Sequence, residues 1–379
     1  MIALRRFARE DLSVALAPWI ASRAIVLLAL AAARFIFGEI GTAPRPPALS
    51  QGLFAWDAAF YRDIAAGGYN AVAHSGLRFF AGLPLMARFL GAPIGQVGPV
   101  LIIIVNIASL LYAGILNRLV IEETGDLGLA TRSVWLGLLA PPALVFVFGY
   151  AEALLALCAV LIFLNARNAR WGWVILAGFF AGVVRPTGVL LLLPIAVFVW
   201  QSLRAEKPQG ANSKKSSLAL GALGVASPVL GICSYLAWSK SAGYGFWEPL
   251  QIQSSSNLRG GFVWPWTSIN GAIDSLSSGD RLGSGLHAVW AFVAVICIIA
   301  AARRLSAPYT LWAAASIAIA LCAPNLDSFE RYALVTFPVV IGAGVLTSRP
   351  KDLFRGVVAI SSAGLFGSSI LVFFGRLVP

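Results

Sequence analysis

The sequence predicts an all-α polytopic membrane protein of about 11 transmembrane helices, and two compositional facts and one pattern predict it. Of the 379 residues, 59% are hydrophobic and only 12% charged, whereas a soluble domain is roughly 45–50% apolar and about 25% charged. The excess runs from end to end, with a mean hydropathy of +0.83, so lipid is the solvent of the whole chain and not of one anchor. The apolar runs approach the ~20 residues that a helix needs to cross hydrocarbon, and they lack the strict alternation of outer-membrane strands. The fold class is therefore helical, a single integral membrane domain over 1–379.

Candidate spans fall at 13–37, 96–120, 130–149, 150–166, 171–184, 186–203, 217–238, 285–302, 308–323, 331–347 and 356–374. Arg5 and Arg6 before the first run and AAA at 31–33 suit a cleaved leader, but Arg23 interrupts the run, which favours a retained helix. The stretch 150–203 divides either into three short spans or into two longer ones. With a cytoplasmic N-terminus, every inner segment carries basic residues: Arg5, Arg6 and Arg9, then Arg118 and Arg132, Arg167 and Arg170, Arg204 to Lys215, Arg303 and Arg304, and Arg349 to Arg355. This is the pattern of positive inner loops, and it accounts for most of the formal charge of +12. Nucleic acid is excluded as a partner, because no soluble basic module is present. Three segments exceed mere connections: a first extracytoplasmic loop at 38–95, a polar cytoplasmic linker at 204–217 and a second long extracytoplasmic loop at 239–284. Arginine outnumbers lysine and no N-glycosylation sequon occurs, which leans toward a bacterial plasma membrane.

Cys158, Cys233, Cys297 and Cys322 lie inside apolar runs without paired spacing, and two histidines are too few for a zinc centre. No metal or other cofactor is expected.

The chemistry-bearing residues gather on the outer side. FAWDAAFYRDIAAGGY (54–69) follows the first span; as a helix it sets Asp57, Phe60, Tyr61 and Ile64 on one face. Asp57 would be a carboxylate among aromatics, with its pKa raised toward use as a general base; equally, the stretch reads as an interfacial helix anchored by Trp and Tyr. Asp63 is expected to pair with Arg62. Glu152 in GYAEALLAL, Arg185 in VVRPTG, and Arg331 with Tyr332 in FERYALVTFPVV each open or close an apolar run. Guanidinium forks suit a lipid phosphate, while an arginine at a helix end can also simply snorkel. In the second loop Trp247, Trp264 and Trp266, with Gln251, Gln253 and Asn257, suit stacking on a sugar or anchoring at an interface.

WDAAFYRDIAAGGY followed by RFFAGLPLMARFL (78–90) resembles the signature of the PIG-V family, the GPI mannosyltransferase II type. GYAEALLAL, VVRPTG and RYALVTFP resemble further family segments in the same order, over roughly 20–345. Ala81 and Ala55 depart from the pattern. The resemblance implies a GT-C type fold and an inverting glycosyltransferase, mannosyltransferase above all. Such an enzyme takes its sugar from a polyprenyl-phosphate donor on the extracytoplasmic face and passes it to a glycolipid or glycan acceptor. It implies that Asp57 is the catalytic base, and that Arg62, Asp63, Glu152, Arg185, Arg331, Tyr332, Trp264 and Trp266 surround the substrates. A transporter or flippase, or a non-catalytic binder of lipid-linked sugars, would share such a cavity.

Overall fold

The computed structural model describes residues 2–41, 44–205, 211–255, 258–279, 286–324 and 326–379, and every regular element among them is helical. Helix α1 (Ile2–Ile40) leads into the first loop, which is built of short pieces: α2 (Pro47–Gln51), α3 (Asp57–Gly67) and α4 (Gly82–Gly91), joined by one 3-10 turn between α2 and α3 and by two between α3 and α4. Helix α5 (Val97–Thr124) ends at Gly125, whose φ of 68° suits a residue without a side chain. Asp126 then caps α6 (Leu127–Leu139), its carboxylate accepting from the Leu129 amide at 2.8 Å.

The span expected at 130–149 stops early. Pro141 and Pro142 cannot continue an α-helix, and the chain passes through a 3-10 segment, Pro141–Phe146, before α7 (Glu152–Ala166). Arg170 separates α7 from α8 (Trp171–Val184), and Arg185-Pro186 separates α8 from a 3-10 turn and α9 (Leu192–Ala205). Region 150–203 thus holds three helices. Of the linker expected at 204–217, residues 206–210 lie outside the described ones, and α10 (Ala211–Ser241) already begins at Ala211. Most of the linker is therefore helix and not loop. The second loop carries α11 (Glu248–Gln253) and α12 (Pro265–Ser278); its residues 256, 257 and 280–284 lie outside the described ones. Helices α13 (Leu286–Ala302), α14 (Ala307–Ala320), α15 (Phe329–Val335), α16 (Phe337–Leu346) and α17 (Lys351–Phe373) complete the chain.

Among the described residues, five helices are long and apolar enough to cross a membrane, and the pair α15–α16, bent by 82°, makes a sixth if taken as one broken span. The other predicted spans are helices of 10–17 residues. At 1.5 Å per residue such helices fall short of a ~30 Å hydrocarbon layer. Eleven full-length spans are thus not found among the described residues: prolines and charged residues inside the apolar runs leave several of the helices short.

These short helices meet in the middle of the molecule. Helix α7 is buried almost all round, and Phe163 at its end packs edge-on or tilted against Phe198, Tyr309, Trp312 and Phe337 from three other helices. Helices α8 and α10 touch backbone to backbone: a Cβ added at Gly182 would strike the Pro228 carbonyl, and one at Gly231 the Phe179 carbonyl. Small residues are the means by which membrane helices approach so closely. Outward-facing side chains such as Leu28, Phe89, Trp173 and Phe292 stay exposed, as lipid-facing positions do.

Candidate active site

Four interruptions of helix deliver four charged side chains to one point. Asp57 is the first residue of α3. Glu152 is the first residue of α7, where the helix dipole favours a carboxylate. Arg185 stands between α8 and Pro186; its extended backbone (φ −155°, ψ 146°) is the conformation that a following proline imposes. Arg331 lies in α15, the short arm of the bent pair, and Pro338 at the start of α16 helps set the bend. In lipid, backbone of this kind is tolerated only where protein or a cavity covers it, and here it lines a cavity.

The contacts are direct although the residues are far apart in sequence. An Nη of Arg331 donates to Asp57 Oδ2 at 2.8 Å. Its Nε lies 3.0 Å from Glu152 Oε1, and Arg185 makes an ion pair with the same oxygen. Glu152 is 1% exposed and Arg331 6%, so each would be costly alone, and each is held by its partner. The second oxygen of Glu152 is buried without a hydrogen-bond partner among the described residues, and Glu152 lines a largely apolar space of about 30 Å³ together with Thr187, Ser316 and Tyr332.

Asp57 is placed by its surroundings. Trp56, immediately before it, adopts φ 59°, a region that costs a non-glycine residue of order 1–3 kcal/mol. Its indole Nε1 donates to the Val372 carbonyl at 3.1 Å, which fixes the strained turn against α17. The Asp57 amide donates to the Tyr150 hydroxyl at 3.3 Å, and Gly149 donates to the Leu53 carbonyl at 3.2 Å. A side chain at Gly149 would run into Leu101 and Ala58. The two turns that carry Asp57 and Glu152 are thus clamped together.

The protonation expectation for Asp57 is corrected. Burial does push its carboxyl up, but the guanidiniums of Arg331 and Arg78 outweigh burial and hold it below the ordinary carboxylate range. With Oδ2 taken by Arg331, Oδ1 is the freer oxygen, its charged neighbour Arg78 standing 3.8 Å away.

Asp57, Arg185, Arg331 and Tyr332 line a cavity of about 650 Å³. The first loop supplies Trp56, Tyr61, Arg78, Phe79 and Phe80; the second supplies Leu250, Gln253, Arg259 and Phe262. Arg78 and Arg259 were not singled out by the sequence. Arg78 stands inside RFFAGLP, where it reads as the edge of a hydrophobic motif, and Arg259 precedes a Gly-Gly pair that signals only a loop. Three guanidinium carbons surround the Tyr332 ring, those of Arg259 at 4.2 Å and of Arg185 and Arg331 at 5.5 Å.

Other expected site residues lie elsewhere. Arg62 and Asp63 do pair, at 2.8 Å, but both are part-exposed and neither lines the cavity. Trp264 and Trp266 stack on each other, centroids 4.9 Å apart and 6° from parallel, and more than half of each is exposed outside the cavity. Two residues apart at the start of α12, they satisfy each other. Trp247 and Gln251 are likewise exposed, Gln253 faces the cavity, and Asn257 lies outside the described residues. Among the described residues no group of three or more His, Cys, Asp and Glu side chains is arranged to hold a metal ion.

No family model matches the chain, that of the PIG-V family included, and no curated protein sequence matches it. Among solved structures the chain is similar to an oligosaccharyltransferase of Archaeoglobus fulgidus. In its apo form that protein aligns with 97% of this chain and 56% of its own at 14% identity, with a TM-score of 0.48. Its complex with Zn and sulfate aligns with 93% of this chain and 52% of its own, at 14% identity and a TM-score of 0.43. The archaeal oligosaccharyltransferase AglB of the same organism, in complex with an inhibitory peptide and a dolichol-phosphate, aligns with 94% and 55%, at 13% identity and a TM-score of 0.45. The chain spans about half the length of the structures it matches.

Proposed function

We propose that this chain is a GT-C type glycosyltransferase that moves a sugar, mannose first among candidates, from a polyprenyl-phosphate donor to a hydroxyl of a glycolipid or glycan. Transfer takes place on the extracytoplasmic face, with inversion. The observation that carries this reading is Asp57: a carboxylate locked by Arg331 through one oxygen, its other oxygen beside a cavity large enough for a sugar and its acceptor. The ordered motifs that resemble PIG-V segments support the donor class.

In this reading the acceptor oxygen attacks the anomeric carbon as the bond from that carbon to the phosphate oxygen breaks. The electron pair leaves on the polyprenyl phosphate, and the acceptor proton passes to Asp57 Oδ1. Two arginines hold the carboxyl down, so it is a weak base that stays ionised at physiological pH. Its task is to orient the hydroxyl and collect the proton late, once the attacking oxygen has become acidic. Arg331 and Arg185, committed to carboxylates, act chiefly by fixing Asp57 and Glu152. Guanidinium charge around the cavity supplies the electrostatic stabilisation, and the reaction proceeds without a metal.

Asp57→Asn tests the reading. Transfer from polyprenyl-phosphate mannose falls by about 10²–10⁴-fold in a protein of unchanged helicity. Near-wild-type turnover removes Asp57 from the mechanism. A carrier or a mere binder of lipid-linked sugars would instead keep its activity in this variant.

A further inference from the structure

The four arginines of the cavity are not equivalent. Arg185 and Arg331 share the buried carboxylate of Glu152, and Arg331 also pairs with the part-buried Asp57. Arg259 has no ion-pair partner among the described residues; its guanidinium lies 4.2 Å above Tyr332, and its Nη2, buried from solvent, donates to nothing among them. Arg78 lies over the ring of Phe79 at 4.7 Å, and its Nε is likewise buried without an acceptor. Its one ionic contact, 3.8 Å to Asp57 Oδ1, is too long for a hydrogen bond. Buried N–H groups without acceptors are rare in folded proteins and call for an explanation. Three such groups border one cavity: Arg331 Nε, which has the Glu152 carboxylate 3.0 Å away, and Arg78 Nε and Arg259 Nη2, on two different loops, which have no carboxylate that close among the described residues.

Two different loops present these donors, and the loops are joined. Helix α11 of the second loop packs on the 74–78 turn of the first, and His74 Nε2 meets Glu248 Oε1 at 2.9 Å. The hydroxyls of Tyr69 and Tyr235 donate to the Phe79 and Leu77 carbonyls, each at 2.7 Å, so the backbone on either side of Arg78 is pinned.

We infer that Arg78 and Arg259 form the cradle for the phosphate of the lipid-linked donor, a role that sequence reading assigned to Arg185 and Arg331. The inference rests on the proposed transfer reaction for the identity of its ligand. A guanidinium fork matches phosphate oxygens in a way that an ammonium does not. The donor is a phosphodiester with one negative charge, and the departing lipid phosphate gains a second as its bond to the sugar breaks. Two arginines without a hydrogen-bonded counterion, one from each loop, answer that rise in charge where it occurs. The phosphate also ties the loops together, so donor binding closes the wall of the cavity.

The test is the binding of farnesyl phosphate to the purified protein, with farnesol as the uncharged control. Arg259→Gln is the cleaner variant, because Arg259 makes no ion pair with Asp57; Arg78→Gln is its companion. Each weakens farnesyl phosphate binding by about tenfold or more and leaves farnesol binding unchanged. Arg259→Lys, which keeps the charge and loses the fork, recovers part of the affinity and covers the case in which Arg259→Gln does not fold. Unchanged farnesyl phosphate affinity in folded Arg259→Gln or Arg259→Lys overturns the cradle. The cradle and the transfer reaction fail separately. If the wild-type protein transfers no sugar from a polyprenyl-phosphate donor while Arg259→Gln loses farnesyl phosphate, the reaction is wrong and the cradle stands; transfer that persists in Asp57→Asn removes only the role of Asp57. If Asp57→Asn is inert while Arg259→Gln binds normally, the cradle alone is wrong.

Discussion

The floor and the outer wall of the cavity treat charge in opposite ways. On the floor, Asp57, Glu152, Arg185 and Arg331 sit at helix interruptions and neutralise one another through direct contacts. On the wall, Arg78 and Arg259 sit in loops with their guanidiniums stacked on rings and some of their N–H groups unused. The charges at the helix interruptions are paired in place, whereas the loop arginines keep N–H groups open to a ligand. The floor is thus a rigid reference against which Asp57 is aimed, and the wall is the part that meets substrate.

The largest effect that separates the two is expected in stability. Glu152→Ala removes the counterion shared by Arg185 and Arg331 and leaves two buried guanidiniums without it. Thermal or denaturant unfolding of the purified protein registers a loss of about 3–5 kcal/mol, and a change below about 1 kcal/mol would show that the floor is not the rigid part. Arg259→Ala on the wall, by contrast, leaves stability nearly unchanged.

A second effect appears in the pH dependence. The folded-state pKa of Asp57 is depressed, so its ionised form, and the stability that its pairing adds, is present above the ordinary carboxylate value and lost only as pH falls through the depressed one. Transfer activity therefore has its acidic limb below the usual carboxylate range. Arg331→Gln removes a principal lowering influence and leaves burial, so the limb moves up in pH; assays of transfer from about pH 3 to 8 measure the displacement. A limb that stays put assigns the lowering to Arg78.

The smallest effect is expected at Trp264 and Trp266. Their stacked pair is exposed and clear of the cavity, so Trp264→Ala changes stability within about 0.5 kcal/mol and transfer hardly at all. A strong loss of transfer would extend the substrate site out to α12.

How much of this was legible in the sequence follows from the same division. Glu152, Arg185 and Arg331 could be picked out because each opens or closes an apolar run, and Asp57 because it lies in a charged, aromatic stretch just after the first span, features visible in one dimension. Their mutual contact could not be read, since Asp57 and Arg331 are 274 positions apart and nothing local encodes the pairing. The direction of the Asp57 shift was missed for that reason: burial was legible, the guanidiniums were not. Arg78 and Arg259 carry no such mark, because an arginine in a loop is the commonest kind. Trp264 and Trp266 were chosen for their composition, and composition does not say which way a side chain faces. The helical class was plain from hydropathy, yet the number of full spans was overstated, because proline pairs and Arg-Pro steps shorten helices that hydropathy alone extends.

Arg23 has a consequence for how the chain is made. It lies within α1, where its Nε donates to Asn106 Oδ1 at 2.9 Å, Nη2 donates to the Phe146 carbonyl at 2.7 Å and to Ser109, and its guanidinium lies over Trp19. An arginine near the middle of a nascent segment opposes its partition into the bilayer by about 2.5–3.5 kcal/mol. The Trp19 carbonyl and Ser22 hydroxyl of α1 itself accept from one Nη, but the acceptors of Nε and Nη2 belong to α5 and to the turn before α7, which leave the ribosome some 80 and 120 residues later. The first helix is therefore a hesitant passenger of the insertion machinery, and it settles only when its later companions arrive.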